Sequence, residues 1–134
     1  MLSRFKFLIP SIVLTAATAH SAFADIYVIC NPSLSLSQAD ITEVYLGEKQ
    51  ADGSKKLTPT DNASLEDSFV QKALKMNKAK YEAHWAKKSF REGITAPQTK
   101  SNDADVIAAV KDSAGGVGYV SQAPGSDVKV LGKY

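Results

Sequence analysis

The run Asp25 to Asn31, DIYVICN, sets Ile26, Val28 and Cys30 on one side of an extended chain and Tyr27 and Ile29 on the other. A strand apolar on both sides has to lie inside a sheet that is covered on both faces, so this segment predicts a central strand of a layered α/β domain. Pro32 stops it. Ser37, with Asp40 three residues on, then opens a helix whose stripe is Ile41, Val44 and Tyr45 and which stops at Gly47. Glu48 to Lys56 is polar around an Asp52-Gly53 turn, a loop or hairpin that returns the chain to a second short strand around Lys56 to Thr60.

Ser64 and Asp67 repeat the capping spacing ahead of Leu65, Phe69, Ala73 and Met76, with Val70 and Leu74 widening the face, and predict a second helix. Asn77 caps a third, in which Tyr81 and Trp85 stand four apart and Ala79, Ala83, Ala86 and Phe90 occupy the adjoining face before Gly93 closes it. Ile94 to Lys100 reads as a loop around Pro97. A fourth helix starts at Ser101 or Asn102, carries Val106, Ile107 and Val110, and ends at Gly115-Gly116. Val117 to Ser121 and Val128 to Leu131 read as the last two strands, joined through the Pro124-Gly125 turn. The order β-α-β-α-α-α-β-β implies an α/β domain with a mixed, mostly parallel sheet and helices on both faces.

Residues 1–24 are expected to stand outside that domain. Arg4 and Lys6 form a basic start, Phe7 to Ala19 is an apolar run broken by Pro10, and Ala22-Phe23-Ala24 has the small residues that a signal peptidase requires, so cleavage is expected after Ala24. The apolar run is too short for a membrane span, and nothing later approaches about 18 apolar residues in a row. The expectation is an exported, periplasmic protein with no membrane insertion after cleavage. Removing 24 of the 134 residues leaves 110, one domain. Of 16 Lys+Arg and 14 Asp+Glu, Arg4 and Lys6 leave with the signal, and the remainder is formally neutral. Bulk charge therefore makes no case for nucleic acid as a partner.

Catalytic groups are sparse. His84 is the only histidine outside the signal and sits inside the third helix, while Cys30, the only cysteine, lies mid-strand on an apolar face where a packed, inert thiol is expected. No spacing resembles a zinc site, a phosphate loop or a dinucleotide fingerprint, so no enzyme, no metal and no cofactor is expected. Gly115-Gly116-Val117-Gly118 precedes a strand and does not open a helix. Lys75, Lys78, Lys80, Lys87, Lys88 and Arg91 crowd one stretch with Glu82 as the only acid among them; they read as a solvated face or as a surface that steers an anion or acidic partner. Tyr81 and Trp85 read as core anchors.

The stretch Leu57 to Phe69 carries the most pointed binding signal, because a strand runs through a hydroxyl-rich turn into a helix start, where unpaired N–H groups favour anions. Ligands in open α/β sheets sit beyond strand carboxyl ends. Three such ends follow from the element order: Asn31 to Ser33, Thr60 to Ser64, and Tyr119 to Gln122. Asn31, Ser33, Thr60, Asn62, Ser64 and Tyr119 are accordingly the candidate anion ligands. Glu66 and Asp67 in the first helical turn act against them.

These residues also carry a resemblance. Tyr27 to Pro32, then Leu36 to Gly47, looks like the first strand, helix and glycine turn of the periplasmic phosphate-binding proteins of ABC importers. Gly115 to Val120, GGVGYV, is similar to a late strand of that family, and Ala63 to Phe69 occupies the place of its phosphate-binding helix start. The resemblance implies one lobe, the second, of a two-lobed clamshell that holds phosphate at helix N-termini. Ala63 stands where the family has serine, Ser64 where it has glycine and Leu65 where it has threonine, and the family's upstream arginine falls at Pro59 or Thr60. Charge-assisted hydrogen bonds are worth about 1.5–3 kcal/mol each. Without the cation and the other lobe, the resemblance implies modest affinity for phosphate or a related small oxyanion. The alternative expectation is an accessory or sensor protein that docks on a membrane transporter or sensor through the basic helix.

Overall fold

The computed structural model describes residues 25–134; the expected signal segment and its cleavage position lie outside them. The central strand forms as β1, Tyr27–Cys30. A short tight turn, Gln38–Asp40, leads into α1, Ile41–Tyr45, and the Asp40 carboxylate accepts the Ser37 N–H at 2.8 Å, as the capping spacing requires. A hairpin of β2, Ala51–Asp52, and β3, Lys55–Lys56, leads into β4, Thr58–Asn62. Then come α2, Glu66–Lys72, and α3, Lys78–Glu92, followed by β5, Gln98–Lys100, and α4, Asp103–Asp112. Strands β6, Gly116–Val120, and β7, Lys129–Lys133, complete the chain.

Five strands form one mixed sheet in the order β5-β4-β6-β1-β7. The pairs β5·β4 and β4·β6 are parallel, whereas β6·β1 and β1·β7 are antiparallel. The alternation in β1 divides the core as the sequence implies. Ile26, Val28 and Cys30 join Val117 and Tyr119 under α1, α2 and α3; Ile29 joins Val120, Val106 and Val110 under α4. Helices thus cover both faces.

The glycines of the 115–118 run serve close packing. A Cβ on Gly115 would lie 1.8 Å from the Lys56 carbonyl oxygen, and one on Gly118 would lie 2.5 Å from the Val106 side chain. Neither position has room for a side chain, so α4 and the hairpin strand lie directly against β6.

Three local expectations are corrected. Residues Gln98–Lys100, expected within a loop, pair with Thr60–Asn62 as β5; a three-residue polar strand has no alternation to announce it and exists through its parallel partner. Ser64 is not a helix cap. Leu65 takes that position with no side-chain cap bond, because the end of β4 captures Ser64: its hydroxyl and its N–H both donate to Asn62 Oδ1, at 2.5 and 3.1 Å. The helix that follows is also shorter than its apolar stripe. Lys75 adopts φ +58°, a left-handed position that ordinarily goes to glycine, and the Met76 N–H donates back to the Val70 carbonyl at 3.2 Å where the chain leaves the helix.

Candidate functional site: a cleft at the open edge of β4

Strand direction decides where the six sequence-derived ligand residues lie. Because β1 runs antiparallel to β6, Asn31 follows the end of β1 at the start of β6, with its N–H donating to the Gly116 carbonyl at 2.9 Å. Asn62 and Tyr119 lie toward the other end of the same sheet, where Asn62 Nδ2 donates to the Tyr119 carbonyl at 3.1 Å. The two groups are separated by most of the length of β6, on the order of 13 Å at the rise of a strand. Asn31 and Ser33 are not brought together with Thr60, Asn62, Ser64 and Tyr119.

Each group is also engaged. Asn31 Nδ2 donates to the carbonyls of Val110 and Lys111 at 3.1 and 3.2 Å, satisfying orphan acceptors at the end of α4, and its Oδ1 accepts the Ser33 N–H at 3.0 Å. The Ser33 hydroxyl donates to the Ala114 carbonyl at 2.9 Å. At the opposite end, Asn62 Nδ2 also donates to Asp103 Oδ1 at 2.8 Å, and Asp103 Oδ2 accepts the Ser121 N–H and hydroxyl at 3.0 and 2.6 Å. This is a closed polar network that ties β4, α4 and β6 together, with a carboxylate at its centre.

Sequence reasoning passed over the residue between Thr60 and Asn62. Asp61 is only 3 % exposed, and its two carboxylate oxygens accept the hydroxyls of Tyr81 and Tyr119, each at 2.9 Å. Burial pushes its carboxyl up from 3.8 to about 6, against the opposing pull of the two phenols. The same burial, with the Asp61 charge beside them, raises both phenols. Tyr45 completes the knot: its hydroxyl donates to the Thr60 carbonyl at 2.9 Å, and its own carbonyl accepts the Trp85 indole N–H at 3.0 Å. Phe69 stacks on Tyr119 with ring centroids 3.9 Å apart. The signal available in the sequence was that Tyr45, Tyr81 and Tyr119 all fall on predicted core faces, where phenolic hydroxyls need a buried acceptor. Tyr81 and Trp85 are core anchors, as their spacing implies.

The open space lies elsewhere. Strand β5 covers β4 only at Thr60–Asn62, and the chain from Gly93 to Pro97 bows outward before joining it. Between them lies a cleft of about 710 Å³ along the uncovered edge of β4. Thr58, Pro59 and Thr60 form its base; Lys49, Gln50 and Lys56 come from the hairpin side, and Ile94, Ala96 and Pro97 from the bowed segment. Pro59 suits that position, since an exposed edge there has no N–H to leave unpaired. Of the six sequence-derived residues, Thr60 lines this cleft.

The electrostatic balance of the lining is positive. Lys49 pairs with Asp40 at 3.6 Å, and the lone lining acid, Glu92, is held by Lys88 at 3.1 Å. Lys56 is exposed and has no ion pair among the described residues. A cleft with one ammonium free of ion pairs among the described residues, Lys56, a second, Lys49, shared with Asp40, and an acid already paired can attract an anion from solution. No group of His, Cys, Asp or Glu among the described residues is arranged to hold a metal ion. Cys30 is fully buried and burial raises its thiol, while His84 Nε2 lies 2.8 Å from the Leu46 carbonyl. Neither the protein-family models nor the curated proteins offer a match to this chain.

Proposed function

We propose that the protein is an exported, non-enzymatic solute-binding protein, a single-lobe relative of the phosphate-binding type, and that it takes a small oxyanion with modest affinity in the cleft at the open edge of β4. The observation that carries this reading is the pairing of a sizeable cleft with Lys49 and Lys56 and with no unpaired acid. The two lysines supply the cationic character that the missing family arginine would otherwise have given. In this reading Asn31, Ser33, Asn62, Ser64 and Tyr119 serve the scaffold away from the cleft, and Thr60 alone of the set lines it. The engaged His84 and the buried Cys30 support a role without catalysis.

Calorimetric titration of the purified protein with phosphate and sulfate at low ionic strength tests it. Millimolar or tighter binding that is lost in the Lys49→Ala, Lys56→Ala double variant is expected. Absence of heat for both anions at millimolar concentration would remove the reading.

A second reading, an accessory or sensor protein that acts through a protein partner, rests on Phe90. That side chain is 92 % exposed on the outward face of α3, in line with Ala79, Ala83 and Ala86, which are exposed as well. The face adjoining Tyr81 and Trp85 therefore packs on nothing among the described residues. Lys80, Lys87 and Arg91 run beside it. A photo-crosslinker placed at Phe90 should trap one membrane protein in intact cells, and Lys87→Glu should abolish the product; no specific adduct would sink this reading.

A further inference from the structure

We infer that the ligand of the β4-edge cleft is an organic anion with an apolar body, such as an aryl phosphate monoester or an aromatic carboxylate, and not a bare inorganic oxyanion. The inference rests on the reading of the cleft as an anion site and goes on to name the class of anion.

Size is the first argument. A tetrahedral oxyanion fills about the space of two water molecules, roughly 60 Å³, whereas the cleft holds about 710 Å³. Bare phosphate would leave most of the space to water, and its oxygens would reach only a fraction of the lining. Clefts of roughly 300–1,000 Å³ suit organic ligands.

The distribution of the lining is the second. The cationic groups Lys49 and Lys56, with Gln50, belong to the segment around the β2–β3 hairpin, whereas Glu92, held by Lys88, and Gln98 stand at the two ends of the segment opposite. Ile94, Ala96 and Pro97, from the bowed segment, offer carbon surface, as does Ala109 of α4. An inorganic oxyanion gains nothing from that wall and loses hydration beside it. A ligand with an anionic head and an apolar body matches both parts, with the head toward the lysines and the body along Ile94 to Pro97. The indole of Trp85 lies behind this space with its N–H already given to Tyr45, so it offers the ligand only ring surface.

Trp85 is the only tryptophan of the chain and lines the cleft, which makes its fluorescence a reporter of occupancy. Titrations of the full chain with inorganic phosphate, phenyl phosphate and neutral phenol, at matched ionic strength, separate the possibilities, with calorimetry as a second readout. Phenyl phosphate is expected to bind at least tenfold more tightly than inorganic phosphate and to change the Trp85 emission, while phenol at the same concentration binds at least tenfold more weakly than phenyl phosphate. Ile94→Ser should weaken phenyl phosphate severalfold and leave inorganic phosphate unchanged, and its thermal midpoint checks that the fold is intact. Equal or tighter binding of inorganic phosphate would overturn the inference while leaving the anion reading in place. Binding of neither anion would overturn both.

Discussion

At the carboxyl end of β4, hydrogen bonds join Ser64 to Asn62, Asn62 to Asp103 and Asp103 to Ser121 in one chain, and Asp61 beside them is closed over by two tyrosines. A few residues earlier on the same strand, Thr58, Pro59 and Thr60 border an open cleft whose other polar groups include an unpaired Lys56. Residue types are alike in the two places: hydroxyls, amides and charges. What separates them is the neighbouring strand. Where β5 and β6 flank β4 on both sides, polar side chains are buried and must find partners inside the protein. Where β5 falls away, Lys56 stays exposed at the cleft, while the Thr58 hydroxyl is shared with that of Ser113 at 2.8 Å. Hydroxyl-rich sequence therefore marks scaffold as readily as it marks a site, and the difference lies in which polar groups are left over.

Several substitutions sharpen that contrast, beginning with the scaffold. Asp61→Ala would leave two buried phenol hydroxyls without an acceptor and open a small cavity, so we expect a loss of about 2–4 kcal/mol and a melting temperature lower by roughly 10–15 °C. A melting temperature within 3 °C or so of the parent protein would show that the tyrosine knot is not holding the core.

The same carboxyl makes stability depend on pH. Its folded value, about 6, lies above the ordinary 3.8, so the folded protein holds the proton more tightly than the unfolded chain. That contribution is fully present below about pH 4 and is lost as pH rises through about 6, at most about 3 kcal/mol over the window. Denaturant unfolding at pH 4, 5, 6 and 7 should show it, and Asp61→Asn should flatten the slope. A variant that retained the full slope would assign it to other groups.

Asn31→Ala, at the opposite end of the sheet, removes two bonds to the carbonyls that end α4 and should cost about 1–2 kcal/mol. It should leave anion binding unchanged, because it lies in neither the cleft nor the Asp61 knot. Impaired binding in a folded Asn31→Ala protein would return that end of the sheet to consideration as a ligand site. Lys75→Gly would relieve the left-handed backbone at the end of α2 and should add about 0.5–1 kcal/mol. Smallest in stability is Lys56→Ser, expected to change it by less than about 0.5 kcal/mol and yet to weaken anion binding severalfold. That combination, binding lost with stability kept, is the reverse of what Asp61→Ala should show.

Much of the fold was legible because it depends on short-range pattern. Alternation in β1 predicted a strand with two covered faces; Asn77 and Asn102 cap their helices, each accepting a backbone N–H three residues on; Gly93 takes the left-handed conformation that ends α3. The capping rule failed at Ser64, where Asn62 was the nearer competitor for the hydroxyl. Alternation likewise gave no sign of β5, whose polar residues are a strand only because β4 pairs with them. Phe90 shows the limit of helical spacing: periodicity aligned it with Ala79, Ala83 and Ala86, and could not say that the face would be turned to solvent.

The candidate site was less legible. The sequence named β4 and its surroundings as the place to look, and Thr60 does line the cleft. It placed Asn31 and Ser33 in the same site because strand order was read without strand direction. The main helices, the caps at Asn77 and Asn102 and the two-sided apolar strand follow from contacts between near neighbours in the chain, and those the sequence by itself determined. The antiparallel run of β1, the partner of Asn31 some 79 residues away, the closure of Asp61 by tyrosines from α3 and β6, and the gap left by a short β5 were decided only by the tertiary structure. They depend on which distant segments pack together, and no local pattern encodes the direction in which two strands meet or the place where one of them stops short.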